Sequence, residues 1–435
     1  MEIICADNNK EYEFFNEMKK RSAEINLSVN SAVLSIINEV REKGDEAIRS
    51  YGMKFDGASP EQFEVTREEM KLAYDNAEDG LKKALLHAKE NITAYHEKQV
   101  RQGYEIKKEK GIVLGQILRG LSRVGIYVPG GTAAYPSTVL MNTIPAKLAG
   151  VEEIIMVTPP IVEKNAEGKL SCKANPDILT AAYLAGVDRV FLAGGAQAIA
   201  ALTFGTESFP MVDKIVGPGN IFVATAKKLL FGQVDIDMIA GPSEILVLAD
   251  KDANPRYIAA DLMSQAEHDP MASAVLLTTN EKVAQETVKE LALQIEKLDR
   301  KDIIQKSLAD FSAIILCGSM EEMIRLANTI APEHLELMVK EPMNYLSQIK
   351  NAGSVFCGEY APEPLGDYLS GTNHVLPTSG TARFSSPLGV DSFIKKMSYT
   401  FYTREALAAD QEDIITIAEK EGLGAHANSI KVRFE

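Results

Sequence analysis

The apolar positions of the first hundred residues recur at helical spacing. Val33, Ile36, Ile37 and Val40 share one face of a helix, and Gly44 ends it. Thr66-Arg-Glu-Glu69 has the spacing of a capping box, and Met70, Ala73 and Tyr74 continue the helix it opens. Leu81–Tyr95 repeats the pattern through Leu85, Leu86 and Ile92. His87 and His96 lie on this stretch and read as surface or packing residues. The polar segment Glu11–Arg21 reads as a short arm, so residues 1–110 are expected to be helical.

From Ile112 short β-rich runs begin to alternate with small-residue helices. Ile112–Leu118 and Val124–Val128 read as strands, followed by a helix near Thr138–Leu148 and a strand at Glu153–Val157. After a polar excursion around 161–173, the helix Pro176–Ala185 leads to strand Arg189–Leu192, and a further helix leads to strand Lys214–Val216. The pattern resumes with strands Ile245–Ala249, Ala274–Leu277, Ala313–Leu316, Leu335–Val339 and Ser354–Cys357, with helices between the first four. Parallel neighbours need a crossover, and a crossover helix packs on a sheet face, so repeated βα winding predicts parallel sheets covered on both faces. Residues 358–392 are rich in Gly, Pro, Ser and Thr and read as loop; strand Met397–Tyr402 and helix Arg404–Lys420 form a tail. The expected fold is α/β, with two wound parallel-sheet domains of incomplete Rossmann-like type, a helical N-terminal region and a small C-terminal tail. Its divisions are 1–26 as a helical arm, 27–126 with 245–385 as a first domain, 127–244 as a second, and 386–435 as the tail.

Composition changes this picture little. In 435 residues, 46% apolar and 25% charged is the balance of a soluble globular chain of at least two domains. The longest apolar runs, such as Ile245–Ala249, are too short to span a bilayer. A net charge of −15 argues against nucleic acid and against anionic membrane surfaces. Cys5, Cys172, Cys317 and Cys357 form no CxxC pair, so neither a thiolate metal site nor a disulfide framework is indicated; a reducing cytoplasm is expected. The N-terminal Met-Glu-Ile-Ile-Cys-Ala-Asp lacks the pattern of a signal peptide.

The candidate chemistry sits in loops and in four histidines. Pro129-Gly-Gly131, Gly194-Gly-Ala-Gln197, Gly217-Pro-Gly-Asn220 and Gly241-Pro-Ser-Glu244 are small-residue turns beside strands, where glycine admits a ligand close to the backbone and helix N-termini favour anions. Any one of them is an ordinary tight turn; four together favour a nucleotide or phosphate site. No G-x-G-x-x-G occurs, because Gly217-Pro-Gly-Asn-Ile-Phe222 fails at the third glycine. Gln265 and His268 are three residues apart at the end of a helix that Pro255 opens and Pro270 closes, so a carboxamide oxygen and an imidazole share one face and can hold a metal ion. Asp367, in Pro364-Leu-Gly-Asp-Tyr368, is a reasonable third ligand in a shaped loop, and spacing does not choose between His374 and His426 for another. Glu333 and His334, in the turn Ala331-Pro-Glu-His-Leu335, make a carboxylate and imidazole pair suited to acid/base work; a solvated turn fits the same residues.

Taken together, Gly125-Ile-Tyr-Val-Pro-Gly-Gly131, Ala193-Gly-Gly-Ala-Gln-Ala-Ile-Ala200, Val216-Gly-Pro-Gly-Asn220, Ala240-Gly-Pro-Ser-Glu244, Ser264-Gln-Ala-Glu-His-Asp269, Ala331-Pro-Glu-His-Leu335 and Gly371-Thr-Asn-His-Val-Leu-Pro377 resemble the histidinol dehydrogenase family in its own order, from about residue 30 onward. The resemblance implies oxidation of L-histidinol to L-histidine through histidinaldehyde, with two NAD and one zinc ion per subunit. It implies zinc ligands Gln265, His268, Asp367 and His426, with His426 and Glu421 supplied by the partner of a homodimer through an exchanged tail. It further implies acid/base residues Glu333 and His334, substrate contacts at Ser243 and Glu421 together with the ligands and His334, and NAD contacts at Tyr127, Gln197 and Asn220. Two rival readings are a zinc hydrolase or lyase on the same scaffold without nicotinamide, and a non-catalytic nucleotide-binding protein. The latter predicts lost functional residues, and none of those named is missing.

Overall fold

The structure is a computed structural model, and it describes residues 1–130, 134–164 and 170–435, with the backbone alone for 19–28. Gly131, which closes one of the small-residue loops, lies outside the described residues.

Strands that are apolar at every position bury both faces. Val124, Ile126 and Val128 enter one core cluster while Tyr127 enters another, and Ile154 and Met156 alternate with Ile155 and Val157 in the same way. These strands belong to a six-stranded sheet in the order Asp235–Ile236, Lys214–Val216, Arg123–Tyr127, Glu153–Thr158, Arg189–Leu192, Glu64–Val65. All its pairs are parallel except the last. A second six-stranded sheet runs Glu2–Cys5, Ala313–Leu316, Ser273–Thr278, Glu244–Ala249, His334–Met338, Ser354–Cys357 and is parallel throughout. Here too Ile245, Val247 and Ala249 face one core cluster, and Leu246 and Leu248 the other. The winding predicted from the βα alternation is therefore present twice, with helices on both faces.

The N-terminal region departs from the expected division. Glu2–Cys5 is an edge strand of the second sheet, registered against Ala313–Leu316, where only helix is expected. Lys10–Lys43 is a single helix of 34 residues. Its Phe15 packs in the core of the second sheet, whereas Val33, Ile36, Ile37 and Val40 pack in that of the first. The following helices contribute Ile48, Met70, Leu85 and Ile92 to the first sheet's clusters. Most of residues 27–126 thus belongs with the sheet of 123–236 and not with 245–385. Helical periodicity marks an apolar face but does not name the surface that covers it.

Elsewhere, the capping box at Thr66 and Glu69 forms as its spacing predicts. The stretch read as loop after 358 contains a short helix, Glu363–Tyr368, that carries Asp367. The polar excursion folds back as a hairpin of Ile161–Lys164 and Leu170–Lys173. The C-terminal strand Ile394–Phe401 pairs antiparallel with Ile112–Gly120, which pairs in turn with Tyr104–Lys108. Beyond it, helices Arg404–Lys420 and Gly424–Lys431 leave Ile417, Leu423 and Val432 exposed. No helix among the described residues is long and apolar enough to cross a membrane.

Ala331 caps the helix Met320–Ile330 in the left-handed region, at φ 54°. That region costs a non-glycine residue about 1–2 kcal/mol, and glycine's added chain entropy takes back roughly half. Ala331→Gly is expected to stabilise the fold by about 0.5–1 kcal/mol in chemical denaturation; a lower denaturation midpoint would contradict this account of the turn.

Candidate functional site

The turn that Ala331 makes delivers Glu333 and His334 to the N-terminal edge of the second sheet. His334 is the first residue of its strand and stands opposite Ile245 in the register. The backbone is held from both sides. Gly353 and Ser354 N–H donate to the carbonyls of Pro332 and Glu333, both at 2.9 Å. A Cβ on Gly353 would lie 2.5 Å from the Glu333 carbonyl oxygen, so only glycine permits this approach. On the other side, Glu244 N–H donates to Glu333 Oε2 at 2.8 Å, and the Glu244 carbonyl lies 3.0 Å from His334 Nδ1. A carbonyl can only accept, so Nδ1 carries the proton and Nε2 is left as the basic nitrogen.

Nε2 faces carboxylates. It is 3.7 Å from Glu363 Oε1, and both atoms are buried without a hydrogen-bond partner among the described residues. Donor atoms of His334, Glu363 and Asp367 all lie within 4.8 Å of one another. Burial lowers the His334 pKa to about 4, against the attraction of Asp367, so the ring is neutral at ordinary pH. Burial likewise raises Glu333, and it takes Glu363 to about 9 with help from the Asp367 charge. In the 3.6 Å approach of His334 Nδ1 to Glu333 Oε2 the imidazole is therefore uncharged.

The helix Pro255–Ala266 starts at an Asn254 cap and ends beside this cluster. Gln265 is buried, and its Oε1 has no hydrogen-bond partner among the described residues. His268 follows half-buried and lies close enough to His334 and His374 to oppose their protonation. Ser264 Oγ donates to Glu363 Oε2 at 3.3 Å. A free carboxamide oxygen, an imidazole and a carboxylate from Gln265, His268 and Asp367 are the oxygen and nitrogen donors that zinc accepts, so the residues present fit the ion. His374 has its Nδ1 3.1 Å from the Asp367 carbonyl and its Nε2 3.4 Å from Thr138 Oγ1, which makes it a support for Asp367. Ser243 is half-buried one residue before Glu244. Glu421 and His426 are exposed on the tail. Sequence reasoning passed over Glu363; its signal was a second carboxylate four residues before Asp367, one turn away if the loop were helical.

Tyr127, Gln197 and Asn220 gather at the C-terminal edge of the first sheet. Tyr127 ends its strand and accepts a hydrogen bond from Gly195 N–H at 3.1 Å. Gln197 is buried in the first turn of Gly195–Phe204, and Asn220 caps Ile221–Leu230 through Oδ1. The chain winds outward in one direction from Arg123–Tyr127, then returns to place Lys214–Val216 on its other side. That reversal opens a crevice suited to a ligand. The two edges face each other: Thr138, at the start of the helix after Arg123–Tyr127, touches His374, and Tyr135, Ser137, His268 and Tyr368 line a cavity of about 490 Å³ between them. Tyr127, Gln197 and Asn220 thus follow strand C-termini. Glu333 and His334 stand at a strand N-terminus, because the second sheet presents its opposite edge to the cleft.

A profile of the histidinol dehydrogenase family matches residues 19–434. The histidinol dehydrogenase of Clostridium acetobutylicum is 56% identical over 97% of this chain and 96% of its own length. That of Bacillus cereus is 54% identical over 100% of this chain and 99% of its own. The crystal structure of the Elizabethkingia anophelis histidinol dehydrogenase superposes with a TM-score of 0.86 at 41% identity, covering 93% of this chain and 92% of the other. Matches of this extent, on a fold that brings those motifs to two facing edges, mean that the chain belongs to the histidinol dehydrogenase family, a family of NAD-dependent oxidoreductases.

Proposed function

We propose that the chain oxidises L-histidinol to L-histidine through histidinaldehyde, using two NAD, as the last step of histidine biosynthesis in the cytoplasm. The observation that carries this reading is a neutral His334 whose Nδ1–H donates to the Glu244 carbonyl and whose basic Nε2 faces Glu363 in a cluster with Asp367, beside a buried Glu333. Gln265, His268 and Asp367, with His426 of a second subunit, would hold zinc, which supplies a redox-inert Lewis acid that orients the substrate's imidazole and amine. NAD, received by Tyr127, Gln197 and Asn220, supplies the hydride acceptor for both oxidations.

The chain's own groups then manage protons. His334 Nε2 takes the alcohol proton in the first oxidation. Glu333, as carboxylate, takes a proton from the water that adds to the aldehyde, and the raised pKa that burial causes makes that carboxylate a stronger base. His334, having released that first proton to solvent, takes the hydroxyl proton of the hydrate in the second oxidation. Ser243 and Glu421 contact the substrate, Glu421 pairing with its ammonium. Burial of the pair keeps the aldehyde away from bulk water. The reading makes the active unit a homodimer. Its support is the exposed apolar residues of the C-terminal helices and the exposure of His426 and Glu421, which fit a tail that packs on a second copy.

Histidinol and NAD added to metal-loaded protein should raise the absorbance of reduced nicotinamide, with two equivalents formed per histidine. No signal would leave the hydrolase or lyase reading standing. His334→Asn is expected to lower turnover by roughly 10²–10⁴-fold, the span of general-base catalysis, while metal content stays at the wild-type level; wild-type turnover would remove His334 from this role. Mixing His426→Ala chains with His334→Asn chains should recover about a quarter of wild-type activity, since half of the dimers would then hold one intact site. Heterodimers that form without any recovery would rule out a tail shared between subunits.

A further inference from the structure

The loop Gly217-Pro-Gly-Asn220 is held from beneath by two buried charges. Lys227 lies on the helix that the loop opens, and Asp237 lies just past the edge strand Asp235–Ile236. Their side chains are 2% and 1% exposed. Asp237 Oδ2 accepts from Gly217 N–H at 2.8 Å, and its Oδ1 pairs with Lys227 Nζ. The same Nζ donates to the Gly217 carbonyl at 3.0 Å. Both polar groups of one residue are thus gripped by one ion pair. Gly217 is the residue that needs this grip. Its φ is +108°, and a Cβ there would lie 2.2 Å from the Tyr127 carbonyl oxygen, so the loop is pressed onto the end of the strand that carries Tyr127.

Stability alone is a weak reason for such a pair. Desolvating two charges is costly, and well-packed apolar residues in their place are often as stable. What the pair does that apolar residues cannot is fix the direction of one peptide's N–H and carbonyl. Both side chains are covered, so neither touches a ligand directly.

We propose that Lys227 and Asp237 are positioning residues for the dinucleotide: by clamping Gly217 they hold the 217–220 loop, and with it Asn220, in the conformation that receives NAD. This rests on the reading of Tyr127, Gln197 and Asn220 as the NAD contacts.

The test uses the full-length protein and three variants. Lys227→Met combined with Asp237→Leu removes both charges together and leaves neither one buried alone. Lys227→Arg keeps the charge and shifts the donor away from the Gly217 carbonyl. Asn220→Ala reports on the NAD site itself. NAD affinity, the KM for NAD, histidinol affinity and metal content are measured on each. The double variant is expected to bind NAD about tenfold more weakly, the scale of a small misplacement, with histidinol affinity and metal content unchanged. Lys227→Arg should move the same way, and it decides the matter if the double variant does not fold. Wild-type NAD affinity in the folded variants, with NAD binding lost in Asn220→Ala, overturns the positioning role alone. Wild-type NAD affinity in Asn220→Ala overturns the reading of the NAD site on which the proposal rests.

Discussion

One peptide residue, Glu244, holds Glu333 and His334 together. Its N–H takes Glu333 Oε2 and its carbonyl faces His334 Nδ1, so the two side chains are oriented by backbone that is itself locked at the start of a buried strand. Side chains fixed in this way lose little freedom when a substrate arrives, and reacting groups gain much from being placed in advance. Glu244 in turn ends the segment 237–244 that crosses from the first sheet to the second. That segment is tied at Gly241, whose N–H donates to Thr378 Oγ1 at 2.6 Å, and at the Glu244 side chain, which accepts from Ser379 N–H at 3.1 Å. It begins at Asp237, which grips the Gly217 loop. A short half-buried stretch of chain, with Ile239 exposed, therefore runs from one edge of the cleft to the other.

The pocket around His334 is built at an electrostatic cost. Behind it lie three buried carboxyl groups, Asp261, Glu336 and Glu363. Burial raises Asp261 to about 6, and it raises Glu336 as well. Glu336 Oε1 accepts from Glu363 N–H at 2.8 Å, which fixes the start of the short helix that carries Asp367. At about 9 Glu363 keeps its proton at neutral pH, which lowers the charge that this buried cluster carries. The burial that raises these carboxyl groups also keeps His334 neutral, and an imidazole kept neutral remains a proton acceptor.

Much of this was legible in the chain itself. Strands that read as continuous apolar runs are buried on both faces, and the Thr66 capping box closes as its spacing requires. Gln265 does lie in the last turn of its helix with His268 just past the cap, and Glu333 and His334 do stand where a helix gives way to a strand. Glu363 was not legible, because nothing local distinguishes it from an exposed acid in a proline-rich turn. Its burial comes from Ser264 on one element and Glu336 on another.

The sequence by itself determined the periods, the caps and the identity of the chemistry-bearing residues, since each depends on neighbours a few positions apart. The tertiary structure alone decided which surfaces those elements cover. The helices of residues 33–97 chose the first sheet, and Glu2–Cys5 joined the second. It also decided that the C-terminal edge of one sheet would face the N-terminal edge of the other, so that groups from both meet in one cleft. An apolar face states that it must be buried but not against what. The partner is settled by shape and by competition among all such faces at once, and no local stretch of sequence contains that information.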